Sequence, residues 1–151
     1  CTNVQELRDH FEQLCYQTGW TQFYTNDETI KGLIPLNKWH HDIATCQVAL
    51  THCEALVART GSIVLSAQTG GRVTSVYAPV HVCIAYTSQL VYHIKEALTA
   101  VKQKYSGQLP SSITLATGPS RTADIEKTLV VGVHGPKEVF LFLVDDLTQA
   151  S

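Results

Sequence analysis

Apolar residues recur along this chain in two rhythms. Val4, Leu7, Phe11 and Leu14 follow helical spacing up to Gly19, with Thr2 and Gln5 placed as a capping box. Trp20–Tyr24 reads as a short strand, and Asn26 or Asp27 caps a brief helix through Ile30 and Leu33. Lys38–His41 is a polar connector, and Ile43–Ala58 fits either a helix or short extended pieces. Beyond the Thr60-Gly61 turn the rhythm changes: Ser62–Ser66, Val80–Tyr86, Ile113–Ala116 and Glu138–Val144 are compact runs rich in Ile, Val and Leu. Such runs read as strands, and the last is apolar enough to be covered on both faces. Ser88–Lys104 is the longest helix expected, with Leu90, Ile94, Ala97, Leu98 and Val101 as its buried stripe and Gly107 and Pro110 ending it.

Strands alternating with helices imply an α/β protein: three layers, a mostly parallel sheet with helices on both faces, and all four runs in that sheet. At 151 residues one domain is expected. The net charge of −2 offers no broad field for nucleic acid or an anionic membrane. No run approaches the ~20 apolar residues of a membrane helix. Five cysteines at scattered spacings, with no C-x-x-C, fit free thiols in a reducing cytoplasm. The chain opens at Cys1 and contains no Met, so a missing N-terminal segment is expected.

The segment with most chemistry is Thr117-Gly-Pro-Ser-Arg-Thr-Ala-Asp-Ile-Glu126, followed by Gly132-Val-His-Gly-Pro136. A strand, a tight polar loop and a helix carrying Asp124 and Glu126 in its first turn are expected here, ending at Gly132. These two phrases, with Thr60–Ser66, Arg72 and Pro79-Val-His81 upstream, resemble the signature of the lactate-utilisation protein C family, the LUD domain. The resemblance runs from about Ile43 to Val144. It implies a single LUD-type domain and the fold shared by CoA transferases, ribose-phosphate isomerases and glucosamine-phosphate deaminases. It favours a strand at Ala55–Ala58. It also implies an accessory role in L-lactate oxidation beside iron–sulfur and redox subunits, in an assembly compatible with a homo-oligomer.

Open α/β sheets bind ligands beyond the carboxyl ends of their strands. Two loops are expected there: one with Ser66, Gly70, Gly71 and Arg72, the other with Ser120, Arg121 and Thr122. Small residues let a ligand approach, and each arginine can clamp a carboxylate or phosphate. The competing reading makes Gln68–Arg72 a plain turn and pairs Arg121 with Asp124 or Glu126. His81 is read first as a core histidine, with acid–base work as the second option. His134 is read as fixing a turn or meeting a partner. His40, His41, Cys46, His52 and Cys53 lack ligand spacing, so no metal is expected, and no cofactor of the chain's own.

One position departs from the family pattern: Arg59 stands where members commonly carry an acid. Arginine is neither base nor nucleophile at neutral pH. The rival readings are a stand-alone isomerase or acyl-CoA transferase, which needs a convergent acid or base, and a small-anion sensor.

Overall fold

The computed structural model describes residues 1–69, 77–123, 129–131 and 135–147. Helix α1 (Val4–Thr18) begins at Asn3, whose side chain accepts from the Glu6 N–H, while the Glu6 carboxylate takes the Thr2 hydroxyl. It ends at Gly19 in the left-handed region (φ +71°), as a glycine stop should. Its buried Leu7 and Phe11 face the sheet, where Phe11 meets Phe23 and Phe142 at 5.6 and 6.1 Å. Helix α2 (Glu28–Leu33) is capped by Asp27 and buries Ile30 against the same core.

The principal sheet has the order β1-β2-β5-β10, from Phe23–Tyr24, Val48–His52, Val80–Tyr86 and Glu138–Val144, and every pairing in it is parallel. Every residue of β5 from Val80 to Ala85 is buried, because neighbours cover both its edges and both its faces. The expected α/β class with a mostly parallel sheet is therefore present.

Sheet membership differs from the expectation. Ser62–Ser66 (β4) and Ile113–Ala116 (β7) leave the parallel sheet and build a second one, ordered β6-β3-β4-β7, with β3 at Ala55–Val57 and β6 at Leu90–Val91. Both β4 pairings there are antiparallel. The apolar runs of β4 and β5 look alike because both strands are covered on two faces, and composition does not say which sheet receives them. The chain changes sheet at Cys53-Glu54, between β2 and β3.

Helices α1 and α2 cover one face of the parallel sheet. The second sheet covers the other face through Leu56, Ile63 and Leu65 against Cys83, Ala85 and Leu143. Helix α3 (Ile94–Lys104) closes the far side, placing Ala97 against Ala55, Val57 and Val64. Helices thus lie on both sides of the parallel sheet, with one sheet interposed.

Two further expectations are corrected. The helix foreseen from Ser88 starts at Ile94, after a 3-10 turn (Thr87–Gln89) and β6. His93 is extended, and Glu96 accepts the N–H groups of Tyr92 and His93, which sets the start there. Leu90 and Leu98 are 49% and 40% exposed, so the buried stripe reduces to Ala97 and Val101, with Ile94 partly covered. The helix foreseen after Thr117 is replaced at both described ends by strands: β8 (Arg121–Ala123) pairs antiparallel with β9 (Leu129–Val131). The β-preferring Thr122, Val130 and Val131 outweigh the helix-start look of the acidic residues.

Ile84→Ala, in the driest part of β5, should cost ~2–5 kcal/mol in urea unfolding. Leu98→Ala should cost under ~1 kcal/mol, as a half-exposed position does. Equal losses would contradict the placement of α3.

Candidate functional site

Of the expected site residues, Ser66, Ser120, Arg121, Thr122 and His81 are described; Gly70, Gly71, Arg72, Asp124, Glu126 and His134 lie outside the described residues. Ser66 ends β4 and is buried. Its hydroxyl accepts the N–H groups of Gln68 and Thr69 and donates to Glu54 Oε1 at 2.5 Å. Ser66 thus closes a turn and anchors a carboxylate.

Glu54, a carboxylate that no sequence motif marks, gathers three side-chain hydrogen bonds here. Its side chain has no exposed surface; besides Ser66 it takes Tyr105 Oη and Lys104 Nζ, each at 2.8 Å. Burial pushes the carboxyl up, but the bonds from Lys104, Ser66 and Tyr105 outweigh it and hold Glu54 below the usual range. Both its oxygens are occupied, so this carboxylate clamps the C-terminal end of α3 to the second sheet.

Strand register places Ser66 relative to the Thr117 loop. Ser66 lies opposite Ile113, whereas Ala116, the residue before the Thr117 loop, lies opposite Ile63. Ser66 and Ser120 therefore sit at opposite ends of the antiparallel β4–β7 pair. The crevice expected between the two loops also includes Gly70, Gly71 and Arg72, which lie outside the described residues. What the Thr117 loop meets instead is the Thr60-Gly61 turn: Thr60 Oγ1, Ser62 Oγ and Thr117 Oγ1 form a chain with links of 2.7 and 2.8 Å.

The second signature phrase docks on the first. Ser120 N–H donates to the Pro136 carbonyl at 2.9 Å. Gly135 lies so close that a Cβ built on it would stand 2.9 Å from Ser120 Cβ. From Pro136 the chain enters β10 beside Pro79, whose carbonyl accepts the N–H groups of Lys137 and Glu138. The motif's small residues therefore hold β10 in place.

A cavity of about 560 Å³ opens between the Thr60-Gly61 turn and the start of α3, lined by Val57, Arg59, Thr60, His93, Ile94, Lys95 and Glu96. Arg59 Nη1 is 3.5 Å from His93 Nδ1, and Glu96 is committed to the backbone of Tyr92 and His93. The cavity combines an apolar floor with basic groups. Arg59, where an acid was the family expectation, gives it that charge.

His81 is fully buried on β5, with Nε2 2.8 Å from Thr51 Oγ1 and Nδ1 without a partner. Burial lowers it to about 4, so it is neutral at pH 7. The expected core role holds, with a side-chain partner where a backbone one was expected. At the carboxyl ends of the parallel strands, His52 stacks on Tyr86, and Asp146 accepts from Thr87 and Ser88.

Residues 35–144 match the family model of the LUD domain. The chain belongs to the LUD domain family. It is 37% identical over 102 residues to lactate utilization protein C of Bacillus licheniformis, covering 66% of this chain and 42% of that one. Against the protein of the same name from Shouchella clausii, identity is 38% over 101 residues, with 66% and 44% covered. An uncharacterized protein of Neisseria meningitidis serogroup B is 36% identical over 160 residues, with 85% and 68% covered. A crystal structure of a DUF162 family protein from Deinococcus radiodurans superposes with a TM-score of 0.48 and 24% identity, covering 68% of this chain and 56% of that one. The chain thus spans less than half the length of the lactate utilization proteins cited.

Within this LUD domain, the Ser120–Gly135 approach makes the signature testable. Gly135→Ala should destabilise by ~1–3 kcal/mol through overpacking. Adding Ser120→Gly removes the obstructing Cβ and should recover much of that loss in urea melts. Additive losses would refute the contact.

Proposed function

We propose that this LUD domain serves L-lactate utilisation as an accessory unit, beside iron–sulfur and redox subunits that oxidise lactate to pyruvate. The observation that carries the reading is the match of residues 35–144 to the LUD family, with relatives named lactate utilization protein C at 37–38% identity. The state of the described titratable groups is consistent with it. Glu54 has both oxygens bonded, and His81 is sealed in the interior. Neither offers the convergent acid or base that an isomerase or acyl-CoA transferase would need.

The small-anion role expected of the arginine loops is kept at one of them. A carboxylate or phosphate would be held by Ser120, Arg121 and Thr122. No helix of the described residues is long and apolar enough to cross a membrane, and a cytoplasmic location is part of this proposal.

Deleting the gene in its own host should abolish growth on L-lactate as sole carbon source and leave growth on glucose unchanged. Re-expression of the whole gene should restore it. Undiminished growth on lactate would overturn the reading.

A further inference from the structure

Helix α3 presents a face that the fold leaves uncovered. Lys95 and Lys102 are seven residues apart, which puts them on one side of the helix about 10 Å apart. Leu98 lies between them at 40% exposure, and Leu109, beyond the helix, is 56% exposed. These residues, with Ile94 and Thr99, line a groove of about 440 Å³. The groove shares Ile94 and Lys95 with the 560 Å³ cavity that holds Arg59, so apolar floor and basic rim continue past the start of α3.

Charge on this face is one-sided. Among the described residues no carboxylate pairs with Arg59, Lys95 or Lys102, whereas Lys104, on the other side of the helix, is matched by Glu54. The acid in the neighbouring cavity, Glu96, accepts the N–H groups of Tyr92 and His93 just before its own helix. Exposed leucines framed by unpaired cations favour an occupant that is apolar on one stripe and acidic beside it.

We infer that the Arg59–Lys95–Leu98–Lys102 face is the docking surface for an acidic amphipathic segment of a partner protein. Size argues against a three-carbon acid as the occupant: the two volumes together are far larger than such a molecule and lie open along the helix. A peptide helix carrying carboxylates about two turns apart, with leucines between them, matches the spacing of Lys95, Leu98 and Lys102. The inference concerns a partner's chemistry and stands whether or not lactate utilisation is the process served.

The test uses the full chain and a fluorescein-labelled helical peptide with glutamates seven residues apart and leucines between them, read by polarisation. Saturable binding is expected, weakened about tenfold or more by Lys95→Glu with Lys102→Glu and by Leu98→Ser, and weakened by salt at about 0.5 M. The Lys-for-Glu version of the peptide should bind the doubly reversed chain, which separates lost docking from lost folding. Equal binding of a scrambled peptide, indifference to the substitutions, or no binding overturns the proposal. Self-association in sedimentation that Lys95→Glu abolishes would assign the face to a second copy and likewise overturn it. So would octanoate binding that depends on these lysines while the peptide fails to bind.

Discussion

The rest of the structure depends on keeping β5 dry. Its residues Val80 to Ala85 are buried without exception, and the strand is hydrogen-bonded to β2 on one edge and β10 on the other. Its two faces need separate covers. Val80, Val82 and Ile84 lie under α1 and α2, while Cys83 and Ala85 lie under the second sheet. The second sheet is then buried on its own outer face by α3. The burial of one strand therefore recruits both helical layers and the second sheet, and burial of apolar surface is the dominant favourable contribution to folding.

This demand explains the polar features as well. The Glu54 clamp holds α3 on the second sheet, and the Ser120–Gly135 approach leads the chain into β10, the outer neighbour of β5. His81 is fully buried on β5, and it is tolerated there because it is neutral and bonded to Thr51. The signature phrases of the family thus serve to position a strand, besides any ligand they hold.

Much of this was legible in the chain because local pattern and local structure agree. Helix α1 could be read from its spacing and its glycine stop, and β5 and β10 from their unbroken apolar runs. Most of the misreadings share a physical cause: the deciding contact was distant in sequence, the short-range β8–β9 pairing being the exception. Leu98 fits a helical stripe, but Ala97 and Val101 are what the second sheet covers. Asp124 and Glu126 suggested a helix start, whereas pairing of Arg121–Ala123 with Leu129–Val131 gives strands at both described ends. Glu54 carried no signal at all, since Lys104 and Tyr105 lie some fifty positions away. Ser66 and the Thr117 loop seemed to share an edge, and only the antiparallel register of β4 and β7 puts Ser66 beside Ile113 and Ala116 beside Ile63. Arg59 was visible as an oddity of sequence, but its meaning emerged from the basic groove it continues.

Native-state hydrogen exchange tests the primacy of β5 most directly. The account predicts that the amides of Val82 to Ala85 exchange only through global unfolding, with an opening free energy equal to the stability from urea. Amides of α3 and β6, farther from that strand, should open at lower free energy. Exchange of the β5 amides through local opening, while α3 remained protected to the global limit, would contradict the account.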